Sequence, residues 1–170
     1  MITRHFPVIL NILWFQACWF ACVMIGNQAA VVVLGLVICA YLLVPHLRSE
    51  IWLLIAICVL GFCVDSILIN TGVLQHSSGG FLPPLWLSVL WLAFATTINH
   101  SSKPVMNNKI LFMLLALVGG PLCYKVGVEL SDIEFGFTPL ISLSFIAAVW
   151  LLAGNLILIL YDRWRNYVLS

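Results

Sequence analysis

The run from Pro83 to His100 constrains the fold more than any other stretch of the sequence. It begins at a double proline, stays apolar for about one bilayer thickness, and ends in a polar group that includes Asn99 and Lys103. An α-helix needs about 20 apolar residues to cross the hydrocarbon core of a membrane. The run therefore predicts a membrane helix that starts at the prolines and ends in the polar group.

The composition extends this prediction to the whole chain. Of its 170 residues, 64% are hydrophobic and 8% are charged, whereas a typical soluble domain has about 25% charged residues. The predicted class is an integral membrane protein. The net charge of +1 leaves no basic patch for nucleic acid. No polar stretch is long enough for a soluble domain, so residues 1–170 are predicted to form a single multi-pass membrane domain.

Six segments are long enough, or nearly so, to cross a membrane. They cover roughly residues 6–25, 29–44, 51–73, 84–100, 109–128 and 139–161. The predicted fold class is therefore all-α, a six-helix transmembrane bundle. Two halves of three helices would have opposite topologies, as in some transporters, but no convincing sequence match relates the two halves.

The basic residues predict the orientation of the bundle. With six crossings, one side of the membrane receives all but one of them: Arg4, Arg48, Lys103, Lys109, Arg163 and Arg165. Only Lys125 falls on the other side. Because cytoplasmic loops carry an excess of Lys and Arg, both termini are predicted to be cytoplasmic.

Asp65 is the clearest functional candidate. It lies 14 residues into the third segment, about 21 Å from its start. It shares a helix face with Gly61 and Gly72, and such small residues allow another helix to approach closely. Asp65 should therefore point into the bundle. It could be a hydrogen-bonding group that locks helices together, or it could be a proton carrier, a cation carrier or a catalytic acid.

Lys125 is the expected partner of Asp65. It lies about 24 Å from the same side, so the two charges have similar depths, and pairing would reduce the free-energy cost of burying either one. Glu129 is a rival partner for Lys125, four residues further along the same helix.

Gly119, Gly120 and Pro121 lie near the middle of the fifth segment. Proline removes a backbone hydrogen bond, and this predicts a kink or break in the helix. Broken helices line the substrate sites of some transporters. A plain kink without a function is the alternative.

A second polar set gathers toward the predicted cytoplasmic side. Trp91 and Ala95 belong to a stripe of the fourth segment that should face the first and sixth segments. The polar members of the set are Asn11, Gln16, Ser88, Thr96, Asn99, His100 and Asn155. They are interpreted either as hydrogen bonds between helices or as the lining of a cytoplasmic cavity with His100 at its mouth.

No cofactor or metal is predicted. The sequence has no Cys-x-x-Cys pair, no Gly-x-Ser-x-Gly, no phosphate-binding loop and no His-Glu-x-x-His. The four histidines lie in loops or near helix ends. A three-histidine site of His5, His46 and His100 remains an alternative, and no catalytic residue is predicted.

Several motifs resemble one known family. They are Asn11 to Gln16 with Trp19-Phe20, then Gly61 with Asp65-Ser66, and above all Pro84 to Leu87 with Leu90-Trp91, Phe94-Ala95, Thr97 and Asn99 to Ser101. This pattern resembles an uncharacterised family of small bacterial inner-membrane proteins, domain of unknown function 2878, over nearly the whole chain. The resemblance implies a multi-pass membrane protein with no established activity. It also implies an accessory role in membrane lipid modification, because members tend to be encoded near fatty-acid-modifying enzymes of the cyclopropane synthase type.

Three functions follow as hypotheses. The first is a non-enzymatic accessory or structural component of the bacterial inner membrane. The second is a small transporter that uses an Asp65–Lys125 pair and a broken fifth helix. The third is an intramembrane enzyme that acts on lipid. The expected partners are the lipid bilayer and either another membrane protein or a second copy of the chain.

Overall fold

The structure is a computed structural model that describes residues 2–77 and 79–169. Met1, Ser78 and Ser170 belong to the predicted domain but lie outside the described residues. The helices are α1 (Ile2–Ile25), α2 (Asn27–Leu43), α3 (Ile51–Asn70), α4 (Leu85–Ala95), α5 (Lys103–Met106), α6 (Lys109–Leu130) and α7 (Pro139–Leu169). A short 3-10 helix (Pro45–Glu50) precedes α3, and two strands, β1 (Leu74–His76) and β2 (Ile133–Phe135), follow α3 and α6. The protein is therefore mainly helical, as predicted.

The six predicted segments correspond to α1, α2, α3, α4, α6 and α7. Four of these helices, α1, α3, α6 and α7, are long and apolar enough to cross a membrane. Large apolar side chains cover their outer surfaces, among them Ile110 at 75% exposure and Leu140 at 78%. Water would not tolerate so continuous an apolar surface. These are the properties of an integral membrane protein.

The predicted fourth segment, 84–100, is too long. Helix α4 ends at Ala95, after 11 residues, and residues 96–102 form turns. The amide hydrogens of Thr97 and Ile98 bond to carbonyls only three residues back, which tightens the last turn and ends the α-helix. At about 1.5 Å per residue, α4 alone is too short to cross a bilayer.

Of the predicted kink or break at Gly119, Gly120 and Pro121, a break does not form. Helix α6 runs without interruption from Lys109 to Leu130, with Pro121 inside it. Proline removes one backbone bond, but a full break would leave several more backbone groups without partners. In an apolar environment only the helix itself can satisfy those groups, and the helix therefore continues.

A small antiparallel ribbon forms between the connection after the predicted third segment and the connection after the predicted fifth segment. Leu74 pairs with Phe135, Gln75 with Glu134 and His76 with Ile133. Leu74 and Ile133 are buried, so the strands alternate an inward apolar residue with an outward polar one. The ribbon joins the ends of α3 and α6.

Different hydrogen bonds tie the helices together at the two ends of the bundle. At the ribbon end, the backbone amide of Trp86 donates a hydrogen bond of 3.1 Å to Asn27, which links α4 to the turn between α1 and α2. At the opposite end, the indole of Trp164 donates to the Ser49 carbonyl over 2.8 Å. This opposite end contains α5 and is called the α5 end.

The molecule contains an internal repeat of 59 residues. Asp65 bonds to Tyr124, and these residues lie 59 positions apart. The same spacing separates Trp91 from Trp150, whose rings stack, and Gln75 from Glu134, which oppose each other at the centre of the ribbon. When equivalent positions meet in this way, the two units are related by a two-fold axis.

Each repeat contains the same contact between a glycine and a tryptophan. A Cβ atom on Gly61 would lie 2.0 Å from the Trp91 ring, and one on Gly120 would lie 2.4 Å from the Trp150 ring. Helix α3 therefore approaches α4 as closely as α6 approaches α7. The equivalent elements are α3 and α6, β1 and β2, and α4 and residues 144–154 of α7. The two units have the same topology, so the chain is not built from two opposed halves of three helices.

Candidate functional site

Asp65 lies at the centre of the bundle, where the two repeats meet. Its side chain is completely buried. The Trp91 indole Nε1 donates to Oδ2 over 2.8 Å, and the Tyr124 hydroxyl donates to Oδ1. Each carboxyl oxygen thus has one donor, and the donors come from α4 and α6. A buried carboxyl group with this arrangement joins three helices.

The expected pair between Asp65 and Lys125 does not form. Lys125 follows Tyr124 directly, and one helical step rotates its side chain about 100° away from Asp65. The Lys125 side chain is exposed, and within residues 2–77 and 79–169 it forms no ion pair with Asp65 or with Glu129. The partner of Asp65 therefore lies on the predicted turn of α6, but it is Tyr124 and not the adjacent Lys125.

Stacked aromatic rings surround the Asp65 cluster. The Trp91 and Trp150 ring centroids are 5.0 Å apart, with 17° between their planes, and Phe94 packs edge-on against both. Trp150 differs from Trp91 in its polar atom. Its Nε1 is buried and makes no hydrogen bond to a described residue, although the Tyr124 hydroxyl lies beside it.

An apolar cavity of about 280 Å³ lies between α1, α4 and α6. We call it the α4–α6 slot. Phe15 and Trp19 of α1 form one wall, Leu90 and Phe94 of α4 form another, and Trp91 and Trp150 contribute to its lining. The slot face of α6 consists of Phe112, Leu115, Ala116, Gly119, Gly120, Cys123, Tyr124, Gly127 and Val128, and the lining continues at Ser131, directly after the helix. This spacing of three and four residues is one continuous helix face.

The slot exists because α6 has small side chains where α3 has large ones. At the 59-residue spacing, Ile57, Leu60, Val64 and Leu68 of α3 correspond to Ala116, Gly119, Cys123 and Gly127 of α6. Helix α3 packs closely against α7, whereas α4 and α6 make little direct contact. A Cβ atom on Gly119 or Gly127 would meet nothing within 4 Å.

A second polar cluster lies at the α5 end. Glu50 is buried and binds two residues that follow α4. The Asn99 amide donates to Oε1 over 2.7 Å, and His100 Nε2 lies 3.2 Å from Oε2. The hydrogen bond to Glu50 raises the pKa of His100, while partial burial acts in the opposite direction. The cluster joins the start of α3 to the turns after α4.

Asn11 stabilises the same turns from α1. Its Oδ1 accepts from the Ser101 hydroxyl over 2.6 Å and from the Ser101 amide over 3.3 Å, and its amide group donates to the Thr96 carbonyl. The Thr96 hydroxyl donates to the Ala93 carbonyl. The polar atoms of this non-helical segment are therefore bonded by neighbouring helices, which the apolar interior requires.

The remaining members of the predicted polar set lie apart from this cluster. Asn155 is exposed and donates to the Leu151 carbonyl on its own helix, so it does not face Asn11 as expected. Gln16 is exposed and Ser88 is half-buried. Asn155 needs no partner on another helix, because its side-chain amide can donate a hydrogen bond to a carbonyl on the preceding turn of its own helix.

The part of the chain that the structure describes contains no cluster of side chains that could bind a metal ion. No three His, Cys, Asp or Glu side chains there come close enough to hold an ion. His100 binds Glu50, and His76 binds Asp132 at the opposite end, over 2.8 Å.

One known protein family matches most of the chain. The profile of a family described as a protein of unknown function, DUF2878, matches residues 8–156. The chain belongs to the DUF2878 family. No curated protein and no solved structure matches it. The resemblance seen in the sequence is thereby confirmed.

Two residues of this DUF2878 protein that the structure makes central, Tyr124 and Glu50, were not among the predicted site residues. Tyr124 was hidden among many aromatic residues, and Glu50 lies just before the predicted third segment. The signal that could have revealed Tyr124 is the 59-residue spacing, which pairs it with Asp65 and also relates Gly61 to Gly120 and Trp91 to Trp150. Glu50 had no such signal, because its equivalent is Lys109.

Proposed function

We propose that this protein is a non-enzymatic accessory or structural component of the bacterial inner membrane. The observation that carries the proposal is the environment of Asp65. Its two carboxyl oxygens are already bound by Trp91 and Tyr124, and it has no exposed surface. Such a group connects helices and is not accessible to a substrate or an ion.

The transporter hypothesis has less support. It required an Asp65–Lys125 pair and a broken fifth helix, but Asp65 binds other residues and α6 is continuous. A carrier also needs a path from its charged group to water, and the slot beside the cluster is apolar. The enzyme hypothesis lacks a nucleophile with a neighbouring base in this region.

The proposed topology has six crossings and two cytoplasmic termini. Helix α4 is short, so its crossing is completed by the buried turns at 96–98, and Asn99 and His100 lie at the membrane surface. The basic residues Arg48, Lys103 and Lys109 cluster near the α5 end, where Lys109 binds Asp162 over 2.7 Å. By the positive-inside rule the α5 end faces the cytoplasm. A reporter enzyme fused after Ser170 should be active only in the cytoplasm, and periplasmic activity would overturn this topology.

An accessory role in membrane lipid modification is the more specific part of the proposal, and it rests on the family resemblance. An accessory protein should co-purify with its enzyme from a mild detergent. We expect a tagged chain, extracted from its native membrane, to retain an enzyme that modifies fatty acyl chains. Recovery of the chain alone from gently solubilised membranes would count against this role.

The decisive experiment compares two substitutions of Asp65. In Asp65→Asn, an amide oxygen can still accept from Trp91 and its NH₂ group can donate to the Tyr124 hydroxyl, so the fold should persist. In Asp65→Ala, both donors lose their acceptor. We expect Asp65→Asn to keep normal expression and partner binding, and Asp65→Ala to lose both.

A transporter would respond differently. Proteoliposomes that enclose a pH-sensitive dye should show no proton flux above empty vesicles. If the wild type showed such a flux and Asp65→Asn removed it without a change in thermal stability, Asp65 would be a proton carrier. Asp162→Asn is the matched control, since Asp162 is a partly exposed carboxylate at the α5 end.

A further inference from the structure

The α4–α6 slot extends along most of the membrane. Its α6 face runs from Phe112 to Val128, which is about 24 Å of helix. The hydrocarbon core of a bilayer is about 30 Å thick. The slot is therefore nearly as long as the core and is aligned with the helices that cross it.

The slot is lined almost entirely by apolar side chains, so water is not its natural occupant. Apolar cavities remain dry but take up apolar molecules, and a cavity of about 150 Å³ can hold a benzene. The slot, at about 280 Å³, is larger and elongated. Leu115 and Cys123 belong to its lining and are exposed on the outer surface, so the slot opens sideways. In a bilayer, lipid chains surround that opening.

The volume of the slot, about 280 Å³, decides between two apolar occupants. A helix with its side chains is about 10–12 Å in diameter. A helix from a partner would need a far larger space than this cavity provides. A single alkyl chain is narrow enough, and it needs no hydrogen-bond partner along its length.

The charges at the two ends of the slot determine which end receives the polar group of a lipid. At the α5 end, Lys103 lies between the lining residues Ser102 and Val105, and its side chain is exposed. At the ribbon end, the lining residues Ser131 and Ile133 are surrounded in the chain by three carboxylates, Glu129, Asp132 and Glu134. A phosphate group would be attracted to the α5 end and repelled from the ribbon end.

We propose that the α4–α6 slot binds one phospholipid through a single alkyl chain, with the phosphate beside Lys103. The chain enters at the α5 end and extends along α6 past Ala116 and Gly119 toward the stacked tryptophans. This inference depends on the membrane placement given under the proposed function. It adds a specific lipid site to a protein whose other surfaces contact lipid without selection.

The test uses purified protein in vesicles of phosphatidylethanolamine and phosphatidylglycerol. A small fraction of the phosphatidylglycerol has a photoactivatable diazirine in one acyl chain. After illumination, mass spectrometry locates the labelled residues. Within α6 the label should concentrate on the slot face and avoid the opposite face. This comparison needs only the wild type, so it does not depend on the folding of a variant.

Two glycines provide matched substitutions. Gly119→Leu places in α6 the residue that α3 has at the equivalent position, and it fills the slot near mid-membrane. Gly35→Leu makes the same change near the middle of α2, where a new side chain also meets nothing within 4 Å but faces outward. We expect Gly119→Leu to lower slot labelling about tenfold, equivalent to two lost methylene contacts. Gly35→Leu should leave it unchanged.

Two further variants test the direction of entry. Gly127→Leu fills the slot near the ribbon end, beyond the reach of a chain that enters from the α5 end, and should have little effect. Lys103→Gln should lower labelling about fivefold, whereas Lys125→Gln, which removes a lysine toward the other end, should not. If Gly127→Leu had a larger effect than Gly119→Leu, the proposed direction would be wrong.

The outcomes separate this proposal from the membrane placement itself. If the label reaches outward-facing residues of α2, such as Leu36, but spreads evenly over α6, the protein is inserted and the slot proposal fails. If no residue is labelled, the placement fails first. If the slot is unlabelled and the protein is dimeric in mild detergent, a second copy covers the slot, and the lipid proposal is again overturned.

Discussion

The α3–α7 interface and the α4–α6 slot occupy equivalent positions in the two repeats, yet one is closed and the other is open. At the closed interface, Ile57 and Leu68 of α3 and Ile146 of α7 are fully buried. In the slot, the residues equivalent to Ile57 and Leu68 are Ala116 and Gly127. Both interfaces join equivalent helices, and the smaller side chains of α6 leave the space that the larger side chains of α3 fill.

The difference shows that the two repeats pack their tryptophans differently. In the first repeat the interface has no open space, and Trp91 donates a hydrogen bond to Asp65. In the second repeat, Trp150 makes no such bond and borders an open space. Substitutions at equivalent positions of the two repeats should therefore change the free energy of unfolding by unequal amounts. Each such pair of substitutions tests whether the repeats differ in packing.

The largest inequality is expected at the two tryptophan contacts. In Gly61→Ala, the new Cβ would lie 2.0 Å from the Trp91 ring, which cannot move without breaking its bond to Asp65. We expect the free energy of unfolding to fall by about 4 kcal/mol from overpacking and the lost hydrogen bond. In Gly120→Ala, the Trp150 ring can move into the slot, and the loss should be only about 1 kcal/mol. Thermal unfolding in detergent measures both, and equal losses would contradict the comparison.

The second inequality concerns the residues where the repeats meet. Asp65→Ala leaves the buried Trp91 and Tyr124 donors without an acceptor, and we expect a loss of about 3 kcal/mol. Tyr124→Phe removes one donor but leaves the bond from Trp91, so about 1.5 kcal/mol should be lost. The same unfolding assay ranks the two variants. A larger effect for Tyr124→Phe would mean that the hydroxyl has a role beyond this bond.

The sequence allowed the helical segments to be predicted, because apolar length is a property of single segments. The six segments and the burial of Asp65 follow from such local patterns. The partner of Asp65 does not, because depth alone cannot distinguish Tyr124 from Lys125, and the two residues differ by one step around the helix. The slot could not be predicted either, because it depends on which helix face meets which neighbour.

Two differences from the sequence predictions have a shared physical cause. The sequence predicted that α4 would continue to His100 and that α6 would kink or break at Pro121, whereas α4 ends at Ala95 and α6 does not break. The backbone can leave the helix at Thr96 because Asn11 bonds to the turns that follow. The slot beside Gly119 and Gly120 is apolar and offers the backbone before Pro121 no such partner, so the helix is retained.

A substitution that fills the slot should raise the free energy of unfolding, whereas the substitutions in the first two tests should lower it. In detergent-purified protein stripped of lipid, Gly119→Leu adds apolar contacts and removes a flexible glycine from a helix. We expect a gain of about 1 kcal/mol in the free energy of unfolding. Gly35→Leu gains only the helix-propensity part, since its side chain faces outward. Destabilisation by Gly119→Leu alone would show that the slot closes when empty.

The smallest effect concerns the charged residues beside the starts of α3 and α6. Glu50 and Lys109 are equivalent, but Glu50 binds the partly buried His100, whereas Lys109 binds Asp162 in a more exposed pair. Because Glu50 raises the pKa of His100 above its ordinary value of 6.5, the stabilisation is complete below about pH 6.5 and is lost as the pH rises through the raised value. We expect a decline of less than about 1 kcal/mol, since His100 is partly solvated. Unfolding measured across this pH range should show the decline in the wild type and in Lys109→Gln but not in His100→Asn, and a decline that persists in His100→Asn would assign it to another group.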